Sequence, residues 1–94
     1  MDVRESLKNL IREALSILGL ESSTEIHLER PANIEHGDWS TNVGLVLAKK
    51  AGSNPRDLAT QLVSTLEGFA SEHVSRLEVA GPGFINFYLN KTWL

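Results

Sequence analysis

Two groups of side chains have types that can do chemistry. One is the titratable cluster Glu35, His36 and Asp38. The other is the ring–amide–ring series Phe84, Asn86 and Tyr88. A hydrolytic metal centre needs two or more histidines or carboxylates at helical or hairpin spacing, with a distant third ligand. Gly37 interrupts the titratable cluster and suits a tight turn, and no second cluster elsewhere completes a site. Nucleophilic catalysis has no cysteine to use, and the serines fall in helix caps and faces, outside a Gly-x-Ser-x-Gly context. Gly81-Pro82-Gly83 is no phosphate loop, because it precedes a strand, lacks a following Lys-Ser/Thr and loses an amide donor to proline. The residues predict a binding or packing domain without catalytic or metal-ligating groups.

The ring–amide–ring series lies in Phe84–Leu89, which alternates between two faces as a strand does. Ile85, Phe87 and Leu89 form an ordinary core face, and Phe84, Asn86 and Tyr88 point the other way. Aromatic rings can stack on a nucleobase while an amide reads its edge. A strand buried on both sides explains the same pattern, and alternation alone leaves both readings open.

The elements that must position these residues follow in chain order. Val3, Leu7, Leu10, Ile11, Ala14, Leu15 and Leu18 make one apolar stripe, predicting a helix over 3–18 with Asp2 as cap and Gly19 as stop. Its other face, with Arg4, Glu5, Lys8, Arg12 and Glu13, is expected to be solvated. Residues 24–30 alternate as a half-buried strand that Pro31 ends. Between this strand and the next helix the chain makes a short turn or a further strand; in the run from Gly37 to Asn42, Asp38, Ser40 or Thr41 is expected to cap the helix, with Trp39 as a hydrophobic staple at its entry. That helix carries Val43, Val46, Leu47 and Ala48, has Lys49 and Lys50 in its last turn and stops at Gly52. Asn54 and Pro55 open a third helix that ends near residue 70 or 71. Residues 75–80 alternate and pair with 84–89 as a hairpin across the Gly-Pro-Gly turn. The fold class expected is α+β: a two-layer sandwich of a small, mainly antiparallel sheet against about three helices.

Ninety-four residues suffice for one compact domain, expected over 1–94. No apolar run approaches the roughly 20 residues of a membrane helix, so no membrane partner is expected. Zero cysteines and no signal-peptide pattern make the cytoplasm the expected location. A net charge of −3 disfavours non-specific nucleic-acid binding, which rests on many phosphate contacts. Specific recognition through a few contacts remains compatible with it.

Three stretches together resemble the N-terminal additional domain of bacterial arginyl-tRNA synthetases. They are the run from His36 to Asn42 with its apolar helix ending Ala48-Lys49-Lys50, the third-helix start Asn54-Pro55-Arg56-Asp57-Leu58-Ala59, and Ala80 to Leu89. The resemblance covers essentially the whole chain. It implies a domain that contacts the D-loop, at the elbow of arginine tRNA, in support of ATP-dependent arginylation. Carried over residue by residue, it implies tRNA binding by Phe84 through stacking and Asn86 through hydrogen bonding, with Gly83 and Tyr88 beside them. Lys49 and Lys50 are the foremost candidates for phosphate contacts, ahead of Arg56 and Lys91. Ala80 stands where some family members have a polar residue. The family's His-x-Gly-His and Lys-Met-Ser-Lys-like signatures are absent, which implies that ATP and arginine bind a catalytic domain beyond Leu94 and that this domain holds no cofactor. The rival reading is a module that packs against its own catalytic domain or a protein partner through Phe84, Tyr88 and Trp93. A basic rim around accessible Phe84 and Asn86 favours RNA, and a flat acidic surround favours the rival.

Overall fold

The computed structural model describes residues 2–20, 25–70, 72–91 and 93. Helix α1 spans Val3–Ile17, strand β1 Leu28–Glu29, a single 3-10 turn Ile34–His36, and strand β2 Trp39–Thr41. Helices α2 (Val43–Ala51) and α3 (Pro55–Glu67) follow, and strands β3 (Val74–Ala80) and β4 (Phe84–Leu89) close the chain. The strands form one antiparallel sheet in the order β1-β2-β4-β3. The α+β two-layer architecture expected from the sequence is the one found.

The helix ends follow local chemistry. Asp2 caps α1 by accepting from the backbone N–H of Arg4 at 3.0 Å and of Glu5 at 3.4 Å. Asn54 caps α3 by accepting from the Asp57 N–H at 2.8 Å, with Pro55 in the first turn where its missing donor costs nothing. Gly52 ends α2 in the left-handed conformation at φ 67°. The core lies between the layers. Leu7, Ile11, Leu58, Leu62 and Leu66 from the helices meet Ile85 and Phe87 of the sheet, all fully buried.

Several expectations are refined or change. Of the two alternatives for the segment before α2, a short turn or a strand, the strand is found: Trp39–Thr41 forms β2, hydrogen-bonded between β1 and β4. Trp39 pairs across the sheet with Phe87 instead of stapling a helix entry. Among the three candidate caps, Thr41 alone bonds the start of α2, accepting from Val43 N–H at 3.3 Å. The first strand reduces to Leu28–Glu29, and residue 24, where it was expected to begin, lies outside the described residues. Helix α3 ends at Glu67, before residue 70, and residue 71 lies outside the described residues. Lys8, assigned to a solvated face, is buried and donates to Glu25 at 3.0 Å, which ties the chain before β1 to α1.

Candidate nucleic-acid interface

Helices α2 and α3 pack on the sheet face that carries Ile85, Phe87 and Leu89, and α1 packs on α3. The opposite face carries Phe84, Asn86 and Tyr88, and part of it opens as a groove of about 440 Å³. Pairing sets its floor. Glu29 lies opposite Ser40, Ser40 opposite Asn86, and Asn86 opposite Glu78, so four polar residues form one lateral row across the sheet. Phe84 pairs with Ala80 one row along, at the hairpin turn, and both line the groove with Gly81. Pro31, Ala32 and His36 complete its lining.

Ser40 is 7% exposed and Asn86 6%, and no hydrogen bond joins either side chain to another described residue. Buried polar side chains normally find partners. These two line an open groove instead, so their hydrogen-bonding capacity is directed at whatever enters it. Phe84 is half-buried, with its ring at the groove wall.

The turn that carries His36 is held to β4 at three points. Gly37 has φ 94°, and a Cβ there would lie 2.7 Å from the Phe87 carbonyl oxygen. Asp38 donates its backbone N–H to that oxygen at 2.8 Å, and its Oδ2 accepts from the Leu89 N–H at 2.8 Å. The Tyr88 hydroxyl donates to the Glu35 carbonyl at 2.7 Å. The His-Gly-Asp run is therefore a clasp that seats one groove wall on the central strand. Among the described residues no His, Cys, Asp and Glu side chains group as a metal site would require.

The remaining residues singled out in the sequence take other places. Tyr88 does not line the groove: its hydroxyl holds the 3-10 turn, and the Arg76 guanidinium lies 4.2 Å from its ring centre. Hydrogen bonding to Tyr88, and then the Glu78 charge, hold Arg76 more firmly protonated than an ordinary arginine, against a desolvation penalty. Gly83 is buried where the turn meets the helices, and a Cβ there would lie 2.8 Å from the Pro55 Cβ and 2.9 Å from the Leu45 nitrogen. Lys49 and Lys50 are exposed in the last turn of α2, in the helix layer. Trp93, a proposed protein anchor, is 9% exposed and stacked on His73 with ring centres 4.3 Å apart.

Among the described residues no lysine or arginine lines the groove, so its immediate surround there is not basic. Arginines stand one residue outward: Arg56 donates to the Gly81 carbonyl at 2.7 Å, and Arg30 follows Glu29 and lies 5.0 Å from the Trp39 ring centre. The rim is thus mixed in sign, neither basic throughout nor flatly acidic. Sequence reasoning missed Glu29 and Ser40 because their place depends on β2 being a strand. Once Trp39–Thr41 is a strand, the alternation of Trp39, Ser40 and Thr41 puts Ser40 on the open face.

Comparisons with known proteins identify the family of the chain. The sequence model described as "Arginyl tRNA synthetase N terminal domain" matches residues 5–89. Arginine–tRNA ligase of Prosthecochloris aestuarii is 45% identical over 92 residues, covering 98% of this chain and 16% of the relative. That of Pseudomonas aeruginosa is 36% identical over 98 residues, with the same coverage of 98% and 16%. The chain thus spans about 16% of the length of the curated relatives it matches. The solved Thermus thermophilus arginyl-tRNA synthetase superposes with a TM-score of 0.75 at 26% identity, over 95% of this chain and 14% of that one. The Plasmodium falciparum enzyme shares the fold, with a TM-score of 0.78 at 17% identity over 97% of this chain and 16% of that one. A family match over nearly the whole chain, on a fold shared with solved synthetases, places this protein in the arginyl-tRNA synthetase N-terminal domain family.

Proposed function

We propose that this chain is a single appended domain that recognises the D-loop, at the elbow of arginine tRNA, for an ATP-dependent arginine–tRNA ligase. ATP and arginine are bound elsewhere in the enzyme. The observation that carries the reading is the groove whose floor holds two buried polar side chains with no internal hydrogen bond. An unpaired base entering it stacks on Phe84 and hydrogen-bonds to Asn86 and Ser40, the mode by which proteins read single-stranded loops. Such recognition needs few phosphate contacts, which suits a chain of net charge −3. Gly83 acts by fixing the hairpin turn that carries Phe84. Tyr88 acts by holding the opposite wall. Lys49 and Lys50, in the helix layer, would meet phosphates of a different stretch of RNA from the base in the groove.

The test is arginylation by the full-length enzyme with Phe84→Ala and Asn86→Ala. Loss of one base stack or one edge contact costs about 1–3 kcal/mol, so kcat/KM for tRNA should fall roughly 5- to 150-fold. Binding of ATP and arginine, measured by calorimetry, should not change. Unchanged kcat/KM for tRNA in both variants refutes the reading.

A second reading, a surface that docks on the rest of the enzyme, rests on Leu45 and Val46. They stand 42% and 48% exposed on the outer side of α2. This surface lies in the helix layer, so both readings can hold in one molecule.

A further inference from the structure

Among the described residues, Glu29 is the only permanently charged group lining the groove, so no fixed positive charge in the lining attracts a phosphate. A phosphate therefore stays at the mouth, where its charge keeps its water, and a cation at the mouth decides how the backbone is held. Arg56 stands at the turn end of the groove. It lies exposed in the first turn of α3, and its Nη1 donates to the carbonyl of Gly81, a groove-lining residue, at 2.7 Å. A guanidinium carries five N–H donors in a planar fork, so one bond fixes the group and leaves donors over. Among the described residues no carboxylate pairs with it, whereas Lys8 is paired with Glu5 and Glu25, and Arg76 with Glu78. Asp57, next in the chain, accepts from the Asn54 side-chain amide at 2.8 Å instead. The charge of Arg56 is thus held in place by a neutral carbonyl and is not cancelled by an ion pair. The N-terminus of α3 adds partial positive charge of its own. Lys49 and Lys50 differ on both counts. Helix α2 also meets the turn, since a Cβ on Gly44 would lie 2.7 Å from the Gly83 carbonyl oxygen. Lys49 stands about 7.5 Å further along that helix axis, and each lysine is a point charge on a flexible stem.

Resting on the reading of the groove as a base site, we infer that Arg56 is its phosphate subsite, holding the backbone phosphate of the nucleotide stacked on Phe84 through the N–H groups that Gly81 leaves free. One tight turn carries both partners: Phe84 pairs with Ala80 across it, and Gly81 anchors the guanidinium. The bond to Gly81 restricts the side chain before RNA arrives, so little rotamer freedom remains to be lost on binding. The contact is to charge and not to a base edge. It positions the strand and adds the same affinity whichever nucleotide enters.

The experiment measures equilibrium binding of arginine tRNA to the full-length enzyme between about 50 and 200 mM salt. Wild type, Arg56→Gln and Arg56→Lys are compared, with circular dichroism confirming that each is folded. One phosphate contact on a single-stranded stretch contributes about 0.7 to the slope of log affinity against log salt. Arg56→Gln keeps a donor for the Gly81 carbonyl and loses the charge. Its slope should be shallower by about 0.7, with affinity at the low-salt end down about fivefold. Arg56→Lys should keep the wild-type slope. With a transcript whose D-loop is replaced, all three proteins should share one slope. A wild-type slope in Arg56→Gln overturns the inference and leaves Arg56 as a pin for the turn. A shallower slope that persists with the replaced D-loop also overturns it, because the phosphate then lies elsewhere. Phe84→Ala separates the two levels. If it weakens binding of the native tRNA while Arg56→Gln keeps the wild-type slope, only the role of Arg56 fails. If it leaves binding untouched, the base site fails and the phosphate subsite fails with it.

Discussion

Gly37→Ala should damage this domain far more than the addition of one methyl group suggests. Gly37 has φ 94°, outside the range L side chains tolerate, which costs about 1–3 kcal/mol. Its new Cβ would lie 2.7 Å from the Phe87 carbonyl oxygen, and that oxygen belongs to the backbone of a central strand that cannot move cheaply. Relief requires the clasp to lift from β4, which strains the two hydrogen bonds of Asp38, to the Phe87 carbonyl and from the Leu89 N–H. At about 1 kcal/mol each, the total is about 3–5 kcal/mol. A domain of this size has roughly 5–14 kcal/mol in all. Gly19→Ala is the control, because φ there is 75° but nothing lies within 4 Å of the added Cβ. It should cost only the backbone term of about 1–2 kcal/mol. Urea unfolding of the 94-residue chain, followed by circular dichroism, reads both values, with the denaturant slope unchanged if the native state stays compact. A Gly37→Ala loss no larger than that of Gly19→Ala refutes the claim that the His-Gly-Asp run is clasped to β4.

Three further outcomes are expected. Asn86→Thr replaces an amide on the groove floor with a better strand former, so urea unfolding should show unchanged stability or a gain of up to about 1 kcal/mol, while arginylation by the full-length enzyme falls. Leu62→Ala should cost about 2–5 kcal/mol in the same unfolding assay, whereas Leu10→Ala should cost less because Leu10 is only partly buried. The Lys8 ammonium beside Glu25, through a hydrogen bond and then its charge, holds that carboxyl below the usual value of 4.5. A depressed folded-state pKa adds stability above the unfolded value and loses it as pH falls through the folded one. Glu25→Gln should therefore lower the thermal midpoint at neutral pH and flatten its decline on the acid side, and an unchanged acid limb would contradict the pair.

Much of this was legible in the sequence because it rests on local signals. The apolar stripe with Asp2 before it gave α1. Asn54-Pro55 gave the start of α3, and the Gly-Pro-Gly turn gave the hairpin and the two faces of β4. What was hidden depends on partners distant in sequence. Trp39–Thr41 is too short to alternate convincingly, and its Ser and Thr look like caps. Only pairing with residues 85–87 makes it a strand. Without β2, nothing indicated that Ser40 and Glu29 would join Asn86 in one row, or that Asp38 would serve a strand amide 51 residues away. Lys8 was misplaced for the same reason, since its partner Glu25 is 17 residues off. Gly83 and Tyr88 lie in the stretch that the resemblance pointed to. The structure places them as the supports of the groove, with Phe84 and Asn86 as its surface.

The central claim is that the groove on the open sheet face receives an unpaired D-loop base. An NMR amide-shift titration of this domain with arginine tRNA, beside a transcript whose D-loop is replaced, tests it most directly. Shifts centred on β4, Ser40 and the 3-10 turn are expected with the native transcript alone. Equal shifts with both transcripts, or shifts confined to the helix layer around Leu45 to Lys50, would contradict it.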